Sequence, residues 1–309
     1  APDASAPPNA SAPTGAVDAP VEATSLLGAP LRRPPLAPAA AARMTAQLDS
    51  ARATYAANPA SADAAIWVAR RLGYLGRYRE AIAVLDTAIA RHPGDARLYR
   101  HRGHRFITVR ELPRAVRDLE RAAALVRGTP DEIEPDGQPN ARNQPVGTLQ
   151  SNVWYHLALA HYLLGDDRRA VAAAREGMKL AATPDRLVSQ GYWLYLALRR
   201  QGKDAEARAV LAPVTRDMDI IENHSYHRLL LLYRRELPVD AVVGPVSGLG
   251  SPSDLSAAYG VAEWLTLEGR PAESETLRRR ILASGQWASF GFVAAEADEA
   301  RARRRRAGR

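Results

Sequence analysis

A chain of 309 residues, 46% hydrophobic and 25% charged, is long enough to bury a sizeable core. It contains no cysteine, which excludes disulfides, thiolate catalysis and cysteine-built zinc sites, and no apolar run approaches the ~18 residues a membrane helix needs. The formal net charge of +8 gathers at one end, with six arginines in Arg301–Arg309, so the body is close to neutral. From the N-terminus, residues 1–38 are rich in Pro, Ala and Ser and show no periodicity. A disordered or extended tether is expected there, because such a stretch buries too little apolar surface to offset its ordering entropy. Leu26, Leu27, Leu31 and Leu36 leave a second reading open, an extended piece packed on the body with Arg32 or Arg33 near acidic residues further along the chain. A Pro/Ala/Ser tract at this end also suggests an exported, periplasmic or cell-surface protein, with the cytoplasm as the alternative.

From about residue 39 to 300 one short helix is predicted after another. Asn58-Pro59 and His92-Pro93 are 34 residues apart, as are Ala81 and Ala115, and each alanine has a small partner seven positions on, at Ala88 and Ala122. Two antiparallel helices approach closely only where side chains are small, and each pair must bury what its neighbour leaves exposed. A repeat of this length with Gly73-Tyr74-Leu75-Gly76-Arg77-Tyr78-Arg79-Glu80-Ala81 at the turn, then Leu85, Ala88 and Pro93, resembles the tetratricopeptide (TPR) family. Further units run at about 96–129, 151–184, 188–221 and 255–288, the last with Ser274 in place of the expected alanine. The resemblance implies an all-α, right-handed superhelical solenoid of about five helix pairs.

Several segments interrupt the array. Residues 130–149 form an insertion whose prolines and Asp136-Gly137 dictate turns. A lone helix is predicted at about 222–235, a Gly/Pro-rich connection at 238–252, and a last helix from Phe290 to about Arg305 capping the open end of the stack. Residues 301–309 are expected to be a solvated basic tail.

Catalytic signals are lacking. There is no G-x-S-x-G elbow or G-x-x-x-x-G-K loop, and Gly248-Leu249-Gly250 is followed by Ser251-Pro252, which breaks a dinucleotide fingerprint. His101 and His104 share a helix face and, with His156, are the candidate metal-binding or hydrolytic group. The arginines beside them would repel a cation. Asp131, Glu132, Glu134 and Asp136 lack the ligand spacing of a calcium loop.

The resemblance places the first helix of each pair on a concave face. Carried over unit by unit, that face holds Ile66, Arg70 and Tyr74; Arg97, Arg100, His101 and His104; Asn152, Tyr155, His156 and Tyr162; and Tyr192 and Arg199. Arg70, Tyr74, Arg97, Arg100, His104, Asn152, Tyr155 and Arg199 are the candidate ligand-binding residues, a guanidinium-rich, tyrosine-lined groove suited to carboxylates. The expected function is a scaffold or adaptor binding an acidic or carboxylate-bearing protein or peptide, with no cofactor, catalytic residue, metal or nucleic acid. The other readings are the histidine-based one and a purely structural subunit of a larger complex.

Overall fold

The structure, a computed structural model, describes residues 19–243 and 251–308. The Gly248–Gly250 loop and the first 18 residues lie outside them. A hairpin of β1 (Val21–Thr24) and β2 (Pro30–Arg32) precedes thirteen α-helices among the described residues. α1 (Pro38–Ala57) leads into five pairs: α2 (Ala62–Tyr74) with α3 (Tyr78–Arg91), α4 (Ala96–Thr108) with α5 (Leu112–Leu125), α6 (Leu149–Leu164) with α7 (Asp167–Lys179), α8 (Pro184–Arg200) with α9 (Asp204–Leu211), and α11 (Pro252–Leu267) with α12 (Pro271–Ala283). α10 (His224–Tyr233) and α13 (Phe290–Ala307) stand outside this pairing. The result is the all-α, TPR-like solenoid expected from the 34-residue period.

Helix starts follow ordinary capping chemistry. Ser61 caps α2, Thr148 and Ser151 form a capping box on α6, and Ser251 with Asp254 does the same on α11. The predicted crossing points are tight: Ala81 and Ala115 are fully buried and Ala170 is 2% exposed. Ser274 fits the equivalent place because its hydroxyl donates to the Ala262 carbonyl at 2.7 Å. Ala115→Leu is expected to overpack the α4–α5 crossing and cost about 1–3 kcal/mol in urea unfolding; a loss below about 0.5 kcal/mol would mean the crossing is elsewhere.

Within the pairs the turn needs one residue of positive φ. Gly76, Gly165, Gly202 and Gly269 supply it in four of the five. In the α4–α5 turn the residue is Arg110, at φ 67°. An arginine there carries a backbone cost that glycine avoids, and it is offset by burial of the side chain in a contact described below.

First helices lie side by side in the order α2, α4, α6, α8, α10. α11 packs on α10, α13 packs on α11 and α12, and α13 also returns to α6. α13 thus covers the last pair, as expected of a terminal cap, and its return to α6 closes the C-terminal half on itself. The reason is a polar knot at the closure. Arg200 of α8 donates to Glu263 of α11 at 2.9 Å and to Asp298 of α13 at 2.7 Å, while Tyr259 donates to Asp298 at 2.8 Å. Residues 303–308 of the basic tail are exposed, as expected of a solvated run. The helix continues to Ala307, and Arg301 donates to the Leu163 carbonyl at the end of α6.

Residues 19–38 are ordered on the body rather than a tether. Ala23 and Leu31 are buried in the main core. Glu22 accepts from the Arg79 backbone N–H at 3.0 Å, and Trp287 Nε1 donates to the Arg32 carbonyl at 2.7 Å. The expected partner of this segment is corrected as well. Arg33 pairs with Glu22 at 2.7 Å and lies 3.7 Å from Glu80, and Arg32 donates to the Ala19 carbonyl. Glu134 of the insertion is instead engaged by Arg100 and Asn152.

Candidate functional site

The insertion is a strap across the concave face. Its ends are pinned by Glu134 N–H donating to the Gly147 carbonyl and Leu149 N–H donating to the Glu132 carbonyl, at 3.1 and 2.8 Å. From that anchor it reaches α2, where Arg70 donates to the Pro135 carbonyl at 2.7 Å and Arg71 to the Gly137 carbonyl at 2.9 Å. Gly137 lets the strap approach closely: a Cβ would lie 1.7 Å from the Tyr74 hydroxyl and force that side chain to move. On the far side, Asn140 donates to Glu222 at 2.6 Å and Arg142 grips Asp219 at 2.6 and 2.7 Å.

One carboxylate of the strap sits among the predicted groove residues. Glu134 Oε1 is 2.9 Å from Arg100, and Oε2 accepts from Asn152 at 3.1 Å. The pair is shielded, each side chain about 10% exposed. The groove therefore holds an internal acidic segment, and its arginines are largely compensated from within the chain.

What remains open is a cavity of about 400 Å³ bounded by the strap, α2, α4, α6, α8, α10 and the starts of α11 and α13. Of the candidate binding residues, Arg70, Arg100, Asn152 and Tyr155 line it, together with His156, Arg186, Asp136, Glu222, Tyr226 and Phe290. Tyr155 and Tyr226 share a hydroxyl–hydroxyl hydrogen bond at 2.6 Å; burial pushes the Tyr155 phenol well above its usual pKa. Arg100 leaves Nε buried without a partner. The lining carries Glu134, Asp136 and Glu222 beside Arg70, Arg100 and Arg186, so the expectation of a strongly basic surface is corrected to a mixed one.

Other predicted residues are elsewhere. Arg97 is held at the outer edge by Asp95 at 2.7 Å and Asp63 at 3.5 Å. Arg199 pairs with Asp204 at 2.9 Å and donates to Tyr195 at 2.6 Å, away from the cavity. Tyr74 is covered by Gly137 of the strap. Ile66, Tyr162 and Tyr192 are core. His104 is partly buried, its ring 4.6 Å from that of His156 and 5.3 Å from Phe290.

The three histidines do not form a ligand set. His101 Nδ1 faces Arg100 at 3.1 Å, His156 Nδ1 is 2.6 Å from the Asn152 carbonyl, and Arg105 donates to His104 at 3.0 Å. Burial, then neighbouring arginines, hold the His101 imidazole well below the ordinary 6.5, and the same causes act on His104 and His156.

Sequence reasoning missed Asp185. This residue is 1% exposed and its carboxylate accepts the backbone N–H groups of Ile221, Glu222 and Asn223, each at 2.8 Å. It orders the loop that brings Glu222 and Tyr226 to the cavity, a positioning role. The only local signal was an acidic residue after Pro184, which also describes an ordinary helix first turn. Arg186, one residue on, was missed because only the strap and α10 define which face of α8 is the lining.

No family model matches the sequence, and no curated protein matches it. Among solved structures the chain is similar to MamA, with 14% identity, a TM-score of 0.43 and coverage of 66% of this chain and 100% of that one. It is also similar to YrrB, described as a TPR protein with an unusual peptide-binding site, with 13% identity, a TM-score of 0.43 and coverage of 82% and 99%.

Proposed function

We propose that the chain is a non-catalytic interaction module that holds a short, carboxylate-bearing segment of a protein or peptide partner in the cavity beneath the strap. The observation that carries this reading is a bounded cavity of about 400 Å³ lined by Arg70 and Arg186, neither paired with a carboxylate among the described residues. Ligand sites are concave, with a few placed polar groups on a largely preformed wall. A volume of this size suits a few residues of a partner rather than an extended chain lying along a whole superhelix. Tyr155, Tyr226 and Phe290 supply apolar area that would exclude water from the ion pairs. That matters because an exposed arginine–carboxylate contact contributes little and a desolvated one several kcal/mol.

Arg97 and Arg100 are poor probes of this reading, since Arg97 is remote and Arg100 seats Glu134. Arg70→Ala combined with Arg186→Ala is expected to weaken capture of partners from a native extract by about tenfold or more, the scale of one lost ion pair, with the far-UV circular dichroism unchanged. Capture by the unaltered chain should also fall as salt rises, because screening shortens to about 3 Å at 1 M. Partners retained at full affinity by the double variant would send the binding surface elsewhere.

A further inference from the structure

We infer that the segment bound in this cavity carries an ammonium or guanidinium group beside its carboxylate, received by Asp136 and Glu222. This rests on the reading above. Both acids line the cavity, and neither forms an ion pair among the described residues. Arg142, the nearest strap arginine in sequence, is spent on Asp219. Asp136 Oδ2 is buried without a hydrogen-bond partner among the described residues. Burial and then the charge of Glu222 raise the Asp136 carboxyl above its usual pKa, while Arg70 opposes them. The two carboxylates thus repel in the absence of a ligand, and a cation between them relieves that repulsion.

The second, independent sign is Arg100. It is 8% exposed and lines the same cavity, yet leaves Nε buried without an acceptor. Arg100 Nε therefore lacks an acceptor and Asp136 Oδ2 lacks a donor, while Glu134 holds the rest of the Arg100 fork and Asn140 donates to Glu222. A ligand bearing both charges satisfies both, whereas a simple anion leaves Asp136 and Glu222 facing each other. A metal ion fits less well, because among the described residues no three His, Asp or Glu side chains converge as ligands.

The test uses the full chain, immobilised, and a randomised tetrapeptide mixture with free carboxyl ends, offered either with free amino ends or N-acetylated. Retained peptides are identified by mass spectrometry. The expected result is an enrichment of about tenfold, as for one ion pair, of peptides having a free amino end, Lys or Arg over acetylated peptides having none. Enrichment of every free-ended peptide identifies the terminus as the cation; enrichment of acetylated peptides containing Lys or Arg identifies the side chain. Asp136→Asn with Glu222→Gln should erase the preference at an unchanged melting temperature. Should that variant melt early, Asp136→Asn alone serves, since Asp136 Oδ2 makes no hydrogen bond in the structure. Equal retention of acetylated peptides lacking Lys and Arg would overturn the inference and leave the carboxylate cavity standing. Retention of no peptide above the Arg70→Ala/Arg186→Ala background would overturn the underlying reading, and the inference with it.

Discussion

Arg110→Met is expected to destabilise the protein by about 3–5 kcal/mol, the cost of stranding one member of a buried ion pair. Arg110 and Glu296 side chains are 2% and 1% exposed, and Nε donates to Oε2 at 2.7 Å. The same guanidinium donates to the Thr108 carbonyl at 2.5 Å and to the Trp287 carbonyl at 2.7 Å. Glu296 Oε1 accepts from the Leu26 backbone N–H at 2.9 Å. One pair thus joins the α4–α5 turn, the loop before α13, α13 itself and the N-terminal hairpin. Losing the arginine leaves a carboxylate buried without its countercharge. Arg110→Gly separates two contributions: it relieves the positive-φ backbone yet still strands Glu296, so it should lie closer to the methionine variant than to the native chain. Replacing both partners, Arg110→Met with Glu296→Leu, should recover part of the loss, because no lone charge remains. Urea midpoints of the three variants check this. A loss of less than about 1 kcal/mol for Arg110→Met would mean that the hairpin and α13 dock through apolar contacts alone.

Acidification is expected to unfold the protein well above the range where carboxylates protonate. His101 and His156 are 6% and 4% exposed, and both are held below the ordinary 6.5 by burial first and by Arg100 next. His104 is shifted the same way. The unfolded chain takes up these protons as pH falls through about 6.5, and the folded chain does not. Stability is therefore fully present above the unfolded pKa and declines below it, until the lowered folded values are reached. Each such histidine contributes a slope of up to about 1.4 kcal/mol per pH unit, so the two well-buried rings together approach ~3. The charges facing them are consistent with this sign. Arg100 and Arg105 oppose protonation, whereas Glu134, 3.6 Å from His101, is already engaged by Arg100. Urea midpoints at pH of about 7.5 and about 5.5 decide the matter. Equal midpoints would show that the rings protonate without disturbing the strap or α13. His156→Gln should flatten the profile by roughly one histidine's share.

The repeat itself was written in the sequence. Ala81, Ala115 and Ala170, the 34-residue spacing and the turn glycines are local requirements, because a close helix crossing and a positive φ depend on the residue at that position. Helix positions followed from them, while the grouping of Arg70, Arg100, Asn152 and Tyr155 on one face came from the family resemblance. Tertiary structure alone decided what covers that face. Glu134 looked like one acid of a solvated loop until the strap folded back to Arg100 and Asn152. The return of α13 to α6 depends on Arg200 and Arg301 meeting partners nearly a hundred residues or more away. Arg110, a residue where the repeat has glycine, hid its reason in Glu296, 186 residues further on. Spacing reports a residue's neighbours along a helix or across one pair. Charge pairing between distant elements has no period, so it emerges only when the chain has closed.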